Sequence, residues 1–305
     1  MVDYVVCRNE ERRNEMGNLL HLIDWKEKNN REMDKLLSVK EALTVQSMNS
    51  GYEAEVVKII HQGDQFVLKV WNRDSKPNIQ FQYHLLQMLT QREVPVSRPL
   101  AWGVDSKENK VLLTTYDGHP FQTFSRKNIT EMARILSKIH GISPYQIKNA
   151  NLPKYQFIDY FFFGIEEHQD LSQLLIQLVK KAQIAQSDFI HGDYHFENIV
   201  EETETFTVID WTNAQLGDKR YDFAWSVFLL KIYGISEKHA SLFRSVYISE
   251  HSISQDEEEV LEAIACIRWF LFYRKNRIPI RNNTLDKVQK IIKNNPYLNK
   301  TLLYT

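Results

Sequence analysis

Residues 188–211 read DFIHGDYHFENIVEETETFTVIDW. The apolar pair Phe189-Ile190 ends a short strand, and Gly192 turns the chain out of it. Asn198 to Val200 and Phe206 to Trp211, joined by the polar run EETET, have the pattern of a β-hairpin. Asp193 therefore falls in a loop, Asn198 begins the first hairpin strand and Asp210 ends the second. Asp193 precedes Asn198 by five residues, and Asp210 lies twelve further on. A hairpin returns its end beside its beginning, so the spacing predicts Asn198 and Asp210 as neighbours facing the loop that holds Asp193.

Such a set suits phosphoryl transfer. That chemistry needs two oxygen ligands to hold Mg²⁺ against the phosphates and one carboxylate to accept or orient the proton of the attacking hydroxyl. Upstream, Lys69 stands in a strand between Leu68 and Val70. A lysine there is costly without a partner or ligand, and nucleotide phosphates would supply one.

Working outward, strands cluster early and helices late. EAEVVKII (53–60) and QFVLKVW (65–71), joined by Gln62-Gly63-Asp64, predict a second hairpin, and KVLLTTY (110–116) a further strand. The charged stretch from about 8 to 46, with spaced Leu, Ile and Met, reads as one or two helices. Apolar spacing predicts helices over 79–91, 129–140, 171–184, 222–233, 236–250, 257–273 and 285–294. The fold class expected is α+β: an N-lobe with an antiparallel sheet over 1–116 and a mainly helical C-lobe over 117–305.

Composition narrows the nucleotide chemistry. The chain has 305 residues and only ten glycines, and the two nearest, Gly51 and Gly63, are twelve apart. Neither a dinucleotide fingerprint nor a Walker A loop can occur at that spacing. A formal net charge of −1, without basic blocks, argues against a general nucleic-acid binder. The N-terminus reaches its charges too early for a signal peptide, and no apolar run is long enough to span a membrane. Two cysteines, Cys7 and Cys266, lack metal spacing and suit a reducing compartment. These features predict a cytoplasmic protein with no membrane or nucleic-acid partner; they leave the oligomeric state open.

HGDYHFEN (191–198) followed by VIDWTNAQLGDKRYDFAW (208–225) resembles the aminoglycoside phosphotransferase and choline kinase superfamily, small-molecule kinases with a protein-kinase-like fold. LLTTYDG (112–118) is similar to the family's lobe hinge, and LSKIHGI (136–142) to its helix ahead of the catalytic core. The resemblance spans roughly residues 40 to 300. It implies Asp193 as the catalytic base, Asn198 and Asp210 as Mg²⁺ ligands, and Lys69 as the contact to the α- and β-phosphates of ATP or GTP. It implies adenine contacts from the backbone of Thr114, Thr115 and Tyr116, with Ile209 beneath the ring. His191 and Asp222 then brace the site, and Asp222 also suits a helix N-terminus. The implied acceptor is a hydroxyl of a small molecule: an antibiotic such as an aminoglycoside or macrolide, or a metabolite such as choline or a sugar.

The chain departs from the family pattern twice. The helical glutamate that pairs with the strand lysine is replaced by Gln82, with Glu53 or Glu55 as substitutes. The phosphate-covering loop, SMNSGYEAE, keeps a single glycine, Gly51, with backbone amides near Ser50 and Gly51 available to phosphate. Between Asp210 and Asp222 only eleven residues intervene, too few for a peptide-binding activation segment, which favours a small acceptor.

Other readings compete. His191, Asp193 and His195 alternate as in a transition-metal site, which would make a hydrolase. A kinase-like protein that binds nucleotide without turnover is the main alternative function. The aromatic run Tyr160–Phe163 suggests either core or a cage for a quaternary ammonium. The acidic run 256–259 suits a helix N-terminus better than a cationic acceptor. Asp218 reads as a turn residue, and His195 as either a loop cap or a substrate contact.

Overall fold

The computed structural model describes residues 20–38, 43–48, 54–120, 124–281 and 283–298. Cys7, Ser50, Gly51 and Glu53 lie outside the described residues, so the expected phosphate-covering loop does too. The chain divides into two compact units: residues 1–119 with 201–212, and residues 120–200 with 213–305. Residues 201–212, most of the hairpin that follows Asn198, group with the N-terminal unit.

The N-terminal unit contains β1 (Asp24–Lys28), α1 (Asn30–Leu37), β2 (Thr44–Ser47), β3 (Glu55–His61), β4 (Asp64–Trp71), α2 (Ile79–Gln91), β5 (Pro99–Val104) and β6 (Lys110–Thr115). Its sheet is antiparallel throughout, in the order β1-β5-β6-β4-β3-β2. The expectation of helix alone before residue 46 is overturned. Residues 24–28 and 44–47 are strands, and only α1 and the turn ending near residue 22 are helical in the described part of that stretch. Asp24–Lys28 alternates exposed and half-buried side chains and pairs only with β5, so its strand character comes from an edge position rather than from apolar residues.

Sheet register sorts the side chains. Val57 pairs with Leu68, and Leu68 with Leu113; these share a buried core with Met33 and Leu36 of α1. Successive side chains alternate between faces. Lys69, paired with Val56 and Leu112, therefore stands on the opposite face from that core.

The C-terminal unit is built from α3 (Arg126–His140), α4 (Phe157–Phe161), α5 (Gln169–Ala182), α6 (Lys219–Tyr233), α7 (Glu237–Ile248), α8 (Gln255–Arg274) and α9 (Thr284–Asn294). Between α5 and α6 run β7 (Asp188–Ile190), the hairpin strands β8 (Ile199–Glu202) and β9 (Thr205–Val208), and β10 (Gln215–Gly217), which pairs antiparallel with β7. Helix α8 starts at a capping box made by Ser254 and Glu257 and is buried on nearly every side from Val260 to Leu271. A helix apolar all round is a core helix; α5 and α6 pack against it. The acidic run at its start serves that helix end and its surface. Glu257 caps, Glu258 pairs with Arg244, and Glu259 accepts from Gln255. Among the described residues no helix is long and apolar enough to cross a membrane.

Candidate active site

The loop after β7 is held mainly by α6. Gly192 has φ +81°, and a Cβ there would lie 2.5 Å from the Asn213 carbonyl oxygen, so glycine is required. Asp222 accepts the backbone N–H of His191 (2.9 Å) and of Gly192 (3.1 Å). Its carboxylate also meets His140 Nε2 at 3.2 Å, and His140 Nδ1 contacts the Tyr247 hydroxyl at 2.6 Å. The side chains of Asp222 and His140 are fully buried. Asp222 is not the residue at the helix start. Asp218 caps α6, accepting the Arg220 N–H and pairing with its guanidinium. Asp222 sits one turn inside, where it reaches the loop. Asp218 is thus more than a turn residue: it also accepts the Ala185 N–H and is 1% exposed.

Asp193 follows. Its N–H donates to His191 Nδ1 (3.3 Å), and its carbonyl accepts from Asn198 Nδ2 (2.9 Å). Asn198 lies in a short 3-10 turn, Phe196–Asn198, one residue before β8 rather than within the strand. His195 caps that turn, accepting the Glu197 N–H at Nδ1, while its Nε2 lies 3.7 Å from Asp193 Oδ2. Trp225 Nε1 donates to Asp193 Oδ1 at 2.7 Å, and Arg268 Nη2 lies 3.5 Å from the same oxygen. Burial pushes this carboxyl up, but His195, Arg268 and Trp225 together outweigh it and hold the group well below the usual carboxylate range. Sequence reasoning missed Trp225 and Arg268. Trp225 stood in the quoted YDFAW without a role, and Arg268 is 75 positions from Asp193 with no local signal.

The aromatic run is core, not an open cage. Phe161 and Phe162 are buried and Phe163 is exposed. Phe161, Trp225 and Phe272 surround the chain's own Arg268, at 4.9, 4.3 and 5.6 Å from its guanidinium carbon.

In the N-terminal unit, Asp210 lies two residues past β9 with φ +63°, and its Oδ1 accepts from Thr212 Oγ1 at 3.1 Å. A left-handed aspartate is strained backbone of the kind that collects at functional sites. Ile209 beside it is half-buried. The Thr115 N–H donates to Arg98 O (2.9 Å) and the Tyr116 N–H to Gln65 O (3.1 Å), while Thr114 of β6 pairs with Val67 of β4. The amides of Thr115 and Tyr116 are therefore engaged within the N-terminal unit. Gly118 follows at φ +114°, where a side chain would strike the Glu201 carbonyl. Lys58 Nζ lies 3.7 Å over the Tyr116 ring.

Lys69 is half-buried, and among the described residues no hydrogen bond or ion pair holds its ammonium. Gln82 is 4% exposed in the apolar face of α2, and its Nε2 has no hydrogen-bond partner among the described residues. It does not bond Lys69, and neither does the exposed Glu55 at the start of β3. Hydrogen bonds thus unite His191, Asp193, Asn198 and Asp222; they do not join Lys69 to Gln82. Among the described residues no group of three His, Cys, Asp or Glu side chains is placed to hold a metal. An amide oxygen and a carboxylate are hard donors, which suits Mg²⁺. The Asn198 amide directs its N–H to the loop carbonyl and retains Oδ1 as an acceptor.

The profile of the Phosphotransferase enzyme family matches residues 44–239, well over half of the chain. The chain belongs to this family. Solved structures share the fold of this phosphotransferase at low identity. An aminoglycoside 2'-phosphotransferase-IIIa in complex with GDP is 14% identical, covers 87% of this chain and 98% of its own, and has a TM-score of 0.59. The choline kinase LicA from Streptococcus pneumoniae is 15% identical, with coverages of 87% and 97% and a TM-score of 0.57. An amicoumacin kinase in complex with AMP-PNP and Ca²⁺ is 13% identical, with coverages of 83% and 89% and a TM-score of 0.60. No curated protein matches the chain. The phosphotransferase has the α+β, protein-kinase-like fold with an antiparallel sheet in its N-terminal unit and a mainly helical C-terminal unit.

Proposed function

We propose that this phosphotransferase moves the γ-phosphoryl group of ATP or GTP to a hydroxyl of a small molecule. The observation that carries the reading is the Asp193 carboxylate: ionised, one quarter exposed, and fixed in a loop pinned by Asp222. The part of Asp193 is to receive the hydroxyl O–H as a hydrogen bond, aim the oxygen in line and take its proton late along a loose transition state. Asn198 and Asp210 would hold Mg²⁺, which when bound neutralises charge on the phosphates. Lys69, with no other anion among the described residues, would align the α- and β-phosphates. The base would meet the segment from Asp117 to His119 and the carbonyls of Thr114–Tyr116 rather than the amides of Thr115 and Tyr116, which the sheet engages. Acceleration then rests on positioning and electrostatics.

The ring box beside Asp193 is filled by Arg268, which favours a polyhydroxylated acceptor over a quaternary ammonium. Nucleotide binding without turnover is the second reading, favoured by the missing bond between Gln82 and Lys69. We place the protein in the cytoplasm, where both nucleoside triphosphates are available. An ADP- and GDP-release screen over aminoglycosides, macrolides, sugars and choline tests the proposal. The expected result is acceptor-dependent release that Asp210→Ala abolishes. Stabilisation by nucleotide and Mg²⁺ without release for any acceptor would establish the second reading.

A further inference from the structure

One face of α6 grips four consecutive loop residues. Asp222, Trp225 and Ser226 share that face by helical spacing. Asp222 takes the amides of His191 and Gly192, and Ser226 Oγ donates to the Tyr194 carbonyl at 2.6 Å. Trp225 alone reaches a reactive side chain, the Asp193 carboxylate. Arg268 approaches from α8, donating Nη1 to the Gly192 carbonyl at 3.2 Å while Nη2 faces Asp193 Oδ1. Trp225 is 4% and Arg268 5% exposed, and they stack on each other, so neither is open to an acceptor.

The two oxygens of Asp193 are consequently unequal. Oδ1 receives a 2.7 Å indole hydrogen bond and faces a guanidinium. Among the described residues Oδ2 faces the His195 imidazole, whose Nε2 lies 3.7 Å away, and takes neither the indole N–H nor the guanidinium. An aspartate's terminal torsion is broad and two-fold, so an unrestrained carboxylate would swing. We infer that Trp225 and Arg268 are positioning residues that occupy Oδ1 of Asp193 and reserve Oδ2 for the acceptor hydroxyl. The inference rests on the phosphotransfer reading of Asp193. It adds that the carboxylate is aimed from two helices that the loop motif does not contain. Aiming of this kind acts on the bound complex and so on turnover, not on affinity.

The test uses the full-length chain. Trp225→Phe keeps an aromatic ring against Arg268 and removes the N–H with part of the indole; Arg268→Met removes the charge, and Arg268→Lys restores it. With an acceptor found by the release screen, Trp225→Phe and Arg268→Met are each expected to lower kcat about tenfold to a hundredfold. Acceptor and nucleotide KM should stay within about twofold, and Arg268→Lys should recover at least about threefold of the loss. Wild-type kcat in Trp225→Phe, or a loss confined to KM, overturns the inference. A second readout needs neither turnover nor the Arg268 variants. Of the six tryptophan indole N–H resonances, Asp193→Asn should shift the one that disappears in Trp225→Phe. If that resonance does not move, the inference fails. If wild-type protein transfers phosphate to no acceptor, the proposed function fails instead, and the indole resonance still decides the role of Trp225.

Discussion

Asp222→Asn removes one charge and turns one carboxylate oxygen into an NH₂ group. In the folded protein Asp222 accepts two backbone N–H groups, at 2.9 and 3.1 Å, and meets His140 at 3.2 Å, with no exposure of its side chain. Hydrogen bonds to a charged acceptor contribute about 1.5–3 kcal/mol each, neutral ones about 0.5–1.5, and a buried donor left without a partner costs about 1–3. The asparagine oxygen can keep one loop amide, while its NH₂ opposes the other. The net cost is therefore about 2–4 kcal/mol. For a unit of this size that corresponds to a fall in Tm of roughly 4–16 °C. Thermal melting and urea unfolding would read it, with exposed Asp159→Asn as the control expected within about 0.5 kcal/mol of wild type. If Asp222→Asn costs less than about 1 kcal/mol, the loop does not depend on that carboxylate and the reasoning about Asp193 loses its foundation.

Gly192→Ala must adopt φ +81° and meet the Asn213 carbonyl, so unfolding should become easier by at least about 1–2 kcal/mol, read by urea titration. Gln82→Met deletes a buried amide nitrogen that lacks a partner among the described residues and should leave stability equal or higher by about 1 kcal/mol; a loss of that size would reveal a partner for the amide. Arg274 grips Asp170 through two bonds of 2.8 and 2.7 Å and holds its carboxyl below the usual range. Because the folded-state pKa is the lower one, this contribution is complete above the unfolded value of about 3.9 and disappears as pH falls through the folded value. The gap in urea midpoint between wild type and Asp170→Asn should hold constant above about pH 5 and close below about pH 4.

Local chemistry made much of this molecule legible. Helix α2 shows its apolar spacing openly, and HGDYHFEN with VIDW carries its own spacing. The strands β1 and β2 were hidden because their pairing, not their composition, makes them strands: DWKEK has one apolar residue. Asp218 and Asp222 are four apart and both suit a helix start, so the capping preference alone could not choose between them; the buried amides of His191 and Gly192 do. Trp225 and Arg268 lie 32 and 75 residues from Asp193, and only packing of α6 and α8 brings them to it. The sequence marks Gln82 as a departure from the family's glutamate, and in the fold Gln82 lies among the buried residues of α2.

The central claim is that Asp193 acts on the acceptor hydroxyl. Single-turnover phosphoryl transfer in wild type and Asp193→Asn, with nucleotide affinity measured alongside by calorimetry, tests it most directly. The account predicts a rate lower by about a hundredfold to ten-thousandfold, with nucleotide Kd within about twofold. Transfer near the wild-type rate in Asp193→Asn would contradict it.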